Sequence, residues 1–209
     1  MRYCGIDIGT TNTKAVVIDD DGQLVDRVTL PLPEVAVADR LDAATWRRQF
    51  GEALNWLAGR GSLGGKRFTC SLSTQGGSFA CVDEKYQPLD LGFSWMGRSA
   101  ERWPAELAAA FGREAFYLRT GWPPLGFGLP AKVKEWRVSD AERARRLRYV
   151  AQVPEFILAD LGGRFVTDET NAQISGFYDV IGRDWWDEVV AWAGLRREML
   201  AEVRRPAEF

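Results

Sequence analysis

The residues best suited to do chemistry stand within the first fourteen positions. Asp7 lies inside an apolar run, and Gly9, Thr10, Thr11, Asn12, Thr13 and Lys14 follow almost at once. The backbone N–H groups around Gly9 to Asn12, the three threonine hydroxyls and the Lys14 ammonium are donors gathered over a few residues, and such a nest suits phosphate oxygens. Asp7 is the one carboxylate of its run. A lone carboxylate is costly to bury, so it reads better as a metal or water ligand beside those phosphates. A plain structural hairpin would also carry Gly and Asn at its turn.

Further along stands Ser73-Thr74-Gln75-Gly76-Gly77-Ser78. Gln75 offers both a donor and an acceptor to a polyhydroxylated molecule, and Gly76 and Gly77 let a small ligand approach the backbone closely. The plain alternative is a glycine turn with a solvent-facing Gln. In Gly92-Phe93-Ser94-Trp95-Met96-Gly97-Arg98, Trp95 offers a flat face for a sugar, and Arg98 a planar fork for hydroxyls or a carboxylate. The chain has nine tryptophans, which weakens the inference from any one of them, because most pack in cores.

Composition narrows the chemistry. The chain contains no histidine, which removes Ser-His-Asp and Cys-His catalysis and every His-based metal site. Any proton transfer must use a carboxylate, Lys, Tyr or water. Cys4, Cys70 and Cys81 sit in strand-like runs without metal-ligand spacing and read as buried reduced thiols. The net charge of −2, with both signs interspersed, gives no basic stripe for nucleic acid and no polybasic membrane patch. No apolar run approaches the roughly 20 residues that span a bilayer, and no signal-peptide pattern precedes the first strand. These features predict a cytoplasmic protein that engages neither nucleic acid nor membrane.

The elements that must position these residues follow from periodicity. Two β-branched runs flank the Gly-Thr-Asn break between Tyr3 and Asp19 and predict a hairpin. Asp19 to Gly22 is the next turn, and Leu24 to Leu32 alternates as a third strand, completing an antiparallel meander. Asp42 heads a helix in which Trp46, Phe50, Leu54 and Leu57 recur, ending near Gly59 or Gly61. Arg67 to Ser73 then reads as a strand with Phe68, Cys70 and Leu72 on one face, so a layered α/β domain is the natural architecture. Phe79 to Asp83 is another strand. The Trp-rich second half reads as helical, with helices over 99–111, 141–147 behind Asp140, Pro154 to Gly162, and Trp185 to Ala193 before Gly194. Arg143, Arg145, Arg146 and Arg148 read as a solvated helix face. No repeat, low-complexity tract or linker divides the chain into independent domains.

The string D-x-G-T-T-x-T-K between two strands resembles the first phosphate-binding hairpin of the actin, hexokinase and sugar-kinase superfamily. It differs from the Walker loop, which runs from a strand into a helix. With S-T-Q-G-G, W-M-G-R, R-T-G-W-P-P, T-D-E-T-N-A and G-F-Y-D following in order, nearly the whole chain resembles the N-terminal domain of the FGGY carbohydrate kinases. The resemblance implies an actin-like (ribonuclease H-like) α/β fold and transfer of the ATP γ-phosphoryl group, with Mg²⁺, to a sugar or polyol hydroxyl in a cleft between two domains. It assigns Asp7 to the metal, and Gly9, Thr10, Thr11, Asn12, Thr13 and Lys14 to the phosphates. It assigns Gln75, Gly76, Gly77, Trp95 and Arg98 to the substrate.

Three departures bear on function. Gly76-Gly77 replaces the Met-His pair of xylulokinase-like loops, which opens the sugar pocket. Trp95-Met96-Gly97-Arg98 shortens the family's W-x-D-x-R and lacks its carboxylate. Residues 1–209 end at Phe209, before the segment that carries the family's general-base Asp, so the expectation is an N-terminal domain incomplete at its C-terminal end, without the adenosine-binding domain and inactive alone. Asp168 and Asp179 are poor substitutes as base. A non-catalytic sugar- or partner-binding module stands as the alternative. The implied partner is a small sugar or polyol, and a homodimer is left open.

Overall fold

The computed structural model describes residues 1–32, 39–65, 67–126 and 128–205. The closing residues 206–209 lie outside these, as do 33–38, 66 and 127. The chain divides into two compact units: Met1–Ala36 with Asp42–Gln75, and Val37–Leu41 with Gly76–Phe209.

Strands β1 (Tyr3–Ile8), β2 (Asn12–Ile18) and β3 (Leu24–Pro31) are followed by the short β4 (Arg40–Leu41), helix α1 (Ala44–Gly59) and β5 (Thr69–Thr74). All but β4 belong to the first unit, whose sheet has the order β3-β2-β1-β5. The first three strands form the expected antiparallel meander, and β5 joins β1 in parallel after the α1 crossover. Alternation puts Cys4, Ile6, Ile8, Ala15 and Val17 on one buried face, matched by Trp46, Phe50, Ala53 and Leu57 of α1. Each buried side chain of Ile or Leu size there contributes about 1.5–3 kcal/mol. Two side-chain carboxylates shape the ends: Asp42 accepts from the Ala44 amide at 3.0 Å, and Asp19 from those of Asp21 and Gln23. Gly22, at φ 74°, takes the left-handed position of that turn. Cys70 departs from the expected burial. It is exposed, unlike Cys4 and Cys81, because β5 borders its sheet among the described residues.

The second unit continues with β6 (Phe79–Val82), β7 (Gly92–Phe93), α2 (Pro104–Phe111), α3 (Arg113–Thr120), α4 (Leu129–Ser139), α5 (Ala141–Arg145), β8 (Tyr149–Gln152), α6 (Val153–Gly162), β9 (Val166–Asp168), α7 (Glu169–Ile174), β10 (Tyr178–Asp179), β11 (Asp184–Trp185), α8 (Asp187–Trp192) and β12 (Glu202–Arg204). Its main sheet is antiparallel, in the order β4-β7-β6-β8. The core gathers Phe79, Phe93, Leu107, Phe116, Trp136, Phe177 and Val189, with the Phe79 and Phe93 rings stacked at 4.8 Å.

Several boundaries move for identifiable reasons. The helix expected over 99–111 begins at Pro104, which suits a first turn because it has no N–H to satisfy. The helix expected from Trp185 begins at Asp187, since Trp185 belongs to β11 and its indole N–H donates to the Ala201 carbonyl at 3.0 Å. Asp140 does cap α5, accepting from the Arg143 amide at 2.9 Å, but α5 stops at Arg145. Arg143 is not solvated: its guanidinium pairs with Asp90 and lies 4.6 Å from the centre of the Trp136 ring.

Candidate functional site

In the first unit the β1–β2 register places Asp7 opposite Lys14, and the β1–β5 register places it beside Ser73. Asp7 points away from the buried face of Ile6 and Ile8, is half-buried, and makes no ion pair among the described residues. The Gly9 amide closes the turn by donating to the Asn12 carbonyl at 3.0 Å. A side chain at Gly9 would meet that same carbonyl oxygen at 3.1 Å, so the turn is tightest with glycine. Thr11 accepts from the Leu32 amide at 2.9 Å through its carbonyl and from Asn12 Nδ2 at 3.0 Å through its hydroxyl. Gln75 is tied to the same corner, its amide donating to the Ile8 carbonyl at 2.8 Å and its Nε2 to the Gly9 carbonyl at 3.3 Å. Asp7, Gly9, Thr10, Thr11, Asn12, Lys14 and Gln75 are thus neighbours.

Thr13 is placed differently. It follows the alternation of Ala15 and Val17 onto the buried face, and its hydroxyl has no partner among the described residues. One residue of strand turns a side chain to the other face of the sheet, so Lys14 and Thr13 cannot serve one ligand together.

In the second unit, Gly76, Gly77 and Trp95 line one cavity of about 110 Å³. Arg98 is not among its lining residues; it is exposed and pairs with Glu101 at 3.1 Å. The segment carrying Trp95 is fixed through Ser94. The Ser94 amide donates to the Asp39 carbonyl at 3.0 Å, and the Ser94 carbonyl accepts from the Gly97 amide at 3.2 Å. Ser78 Oγ accepts from the Trp95 amide at 3.1 Å. The Ser94 carbonyl also accepts from the ammonium of Lys132 at 2.6 Å. Lys132 is 0% exposed, and burial pushes its pKa down to about 8 against the opposing pull of Asp39. Nothing in the sequence marks this role, because Lys132 is followed two residues on by Lys134 in a charged stretch, and only its burial on α4 shows that its charge needs the Ser94 carbonyl.

A second network orders the Thr167 to Ala172 motif. Glu155, three residues into the chain's capping box at Gln152, accepts from the Gln152 amide at 2.8 Å, while Gln152 Nε2 reaches the Asn171 carbonyl at 2.8 Å. Burial raises the Glu155 carboxyl to about 7. Asp168 caps α7, accepting from the Thr170 and Asn171 amides at 2.8 and 3.0 Å. Asp179 accepts from the Ile181 and Gly182 amides and pairs with Arg119 at 2.8 Å. Both carboxylates have structural work.

Residues 2–209 match the N-terminal domain of the FGGY family of carbohydrate kinases. The chain belongs to that family. Among FGGY kinases it is 25% identical to a gluconokinase of Bacillus subtilis over 204 residues, which is 95% of this chain and 39% of that enzyme. The xylulose kinase of Rhodospirillum rubrum shares the fold with a TM-score of 0.89 at 21% identity, over 98% of this chain and 43% of that one. A glycerol kinase of Plasmodium falciparum, solved with ADP, matches at TM-score 0.82 and 15% identity over 97% of this chain and 43% of that one. The actin-like α/β fold implied by the motifs is the fold of these FGGY kinases. The chain spans about 40% of the length of the relatives it matches.

Proposed function

We propose that this chain supplies the phosphate-binding hairpin and part of the acceptor site of a cytoplasmic kinase that transfers the γ-phosphoryl group of ATP to a sugar, ketose or polyol hydroxyl. The observation that carries the reading is the placement of Asp7: a carboxylate without an ion pair among the described residues, in register with Lys14 and next to a glycine turn. A hard cation favours such an oxygen ligand, and Mg²⁺ is commonly held by one or two carboxylates together with substrate phosphates. Bound there, Mg²⁺ would neutralise phosphate charge during the transfer. Asp7 is the ligand this chain offers it. Around the turn, the Gly9 amide is committed to Asn12, so the Thr10 and Thr11 amides and hydroxyls, Asn12 and the Lys14 ammonium are the groups proposed to hold phosphate oxygens.

On the acceptor side we assign Gly76, Gly77 and Trp95 of the second unit; Gln75 belongs with the hairpin of the first, and Arg98, exposed and paired with Glu101, is left unassigned. The family matched is an N-terminal domain, and the relatives are more than twice as long. These facts support a further domain for the adenosine and a general-base Asp supplied from beyond residue 209. Asp168 and Asp179 are not assigned that role, since each carboxylate is held by backbone amides. The complete enzyme, offered a panel of ketoses, polyols and aldonates with Mg·ATP, is expected to release ADP with at least one. A flat panel, or hydrolysis of ATP at one rate whatever alcohol is present, would contradict the reading.

A further inference from the structure

The cavity of the second unit has walls unlike those of a site for a fully hydroxylated chain. Carbon atoms of Trp95, Leu107, Phe116, Trp122, Leu129 and Ile174 dominate it, and no charged side chain lines it among the described residues. Ser175 brings a hydroxyl to the wall, but that hydroxyl donates to the Ala172 carbonyl at 2.5 Å and accepts from the Phe177 amide at 3.1 Å. The glycine pair adds no polar side chain either. A Cβ at position 76 would stand 3.1 Å from Ile174 Cδ1, and one at position 77, where φ is +73°, 3.3 Å from Trp95 Cβ. Ile174 and Trp95 therefore close over the place where side chains of this loop would otherwise reach in.

Size and chemistry together select the occupant. Cavities of about 150 Å³ with leucine, isoleucine and phenylalanine walls stay dry and hold a benzene molecule. A space of about 110 Å³ takes a carbon-rich group of that size or smaller. A hydroxyl placed there without a partner forfeits its hydrogen bonds to water, which costs roughly tenfold or more in affinity. The mouth is reachable, because Trp95 and Trp122 keep 46% and 37% of their surface exposed.

We propose that this cavity receives an alkyl or aryl group of the acceptor alcohol, so that the preferred substrate is a deoxy or carbon-substituted sugar or polyol, and not one hydroxylated on every carbon. The proposal rests on the kinase reading for the word substrate, yet the preference it asserts is one of binding. Trp95, Trp122 and Ile174 then act as specificity-determining residues, and an aldonate, with its carboxylate, is disfavoured.

Matched pairs test it: a ketose and its terminal deoxy counterpart, and a polyol and its deoxy counterpart, titrated into the chain without nucleotide while tryptophan fluorescence is followed. In each pair the deoxy member is expected to bind about tenfold tighter. Ile174→Asn puts an amide into the wall and should bring the ratio close to one. Trp122→Ala, at a position that keeps 37% of its surface exposed, should also lower the ratio, and it serves if the first variant folds poorly. Equal binding within the pairs, tighter binding of the hydroxylated member, or no response to any of the four would overturn the proposal. ADP release by the complete enzyme is read separately. Deoxy preference with no ADP from any alcohol would sink the kinase reading and leave the cavity assignment standing.

Discussion

Asp7→Asn is expected to lower turnover of the complete kinase by about 10²–10³-fold or more, the scale seen when one preorganised charge-stabilising group is removed from an active site. The substitution keeps the shape of the side chain and removes its charge. Asp7 sits on the face of the first sheet opposite α1, half-buried, with no ion pair among the described residues whose loss would unsettle the fold. Stability should accordingly stay within about 0.5 kcal/mol of the parent, as for substitutions away from the core. Initial rates of ADP release across a magnesium titration, paired with thermal melts, separate the two effects. The loss should be partly recovered at high Mg²⁺ if Asp7 acts through the cation. Full turnover in a folded Asp7→Asn protein would remove Asp7 from the mechanism.

The second large effect is one of stability against pH. Burial raises Glu155 from an ordinary value of 4.5 to about 7, so the folded protein keeps a proton that the unfolded chain gives up. Between those two values the native state binds more protons, and its stability falls as pH rises. Below about pH 4.5 both states are protonated and nothing is lost; above about pH 7 both are ionised and the whole penalty is present. A shift of that size corresponds to about 3 kcal/mol. Glu155→Gln keeps an acceptor for the Gln152 amide and cannot ionise. The difference in unfolding free energy between variant and parent, from denaturant melts, should be near zero at pH 4.5 and grow to about 3 kcal/mol in the variant's favour by pH 7. A difference that does not change with pH would mean that Glu155 titrates normally. Other carboxylates, such as Asp184 beside Arg197, are held below their usual range by their partners and act in the opposite sense. They cancel in the comparison.

Much of the first unit was legible in the chain because its signals are local. The period-2 runs on either side of Gly9, the Asp-rich turn at Gly22 and the helical spacing of Trp46, Phe50 and Leu57 each depend on neighbours a few residues away. The second unit was harder. The strand β8, Tyr149–Gln152, is short, follows an arginine-rich stretch and is identified by its pairing with Phe79–Val82 some seventy residues earlier. The helix α3, Arg113–Thr120, mixes charged and apolar residues without a clean face, and α2 and α3 meet at Gly112, with φ 74°, where composition alone suggested one helix ending.

For the candidate site, residue type was legible and orientation was not. The donors of the turn could be named, but which face of β2 each occupies depends on where α1 packs, and that sends Thr13 inward while Lys14 stays out. Gln75 and Gly76 are adjacent in sequence, yet Gln75 is bound to the hairpin of the first unit and Gly76 lines the cavity of the second. Lys132 and Glu155 went unremarked because a buried charge looks, in sequence, like any surface charge within an amphipathic stretch. Their importance lies in partners far along the chain, Ser94 and the Asn171 end of the motif.

The most direct measurement of the central claim is the nuclear magnetic resonance spectrum of the chain with Mn²⁺ in place of Mg²⁺, recorded with and without ADP. Held by Asp7 and the diphosphate, the paramagnetic ion is predicted to broaden the amide signals of Asp7 and of Gly9 to Asn12 first and most strongly, only when both ion and nucleotide are present, and no longer in Asp7→Asn. Broadening centred on another carboxylate cluster, or signals of the hairpin that ignore ion and nucleotide alike, would contradict it.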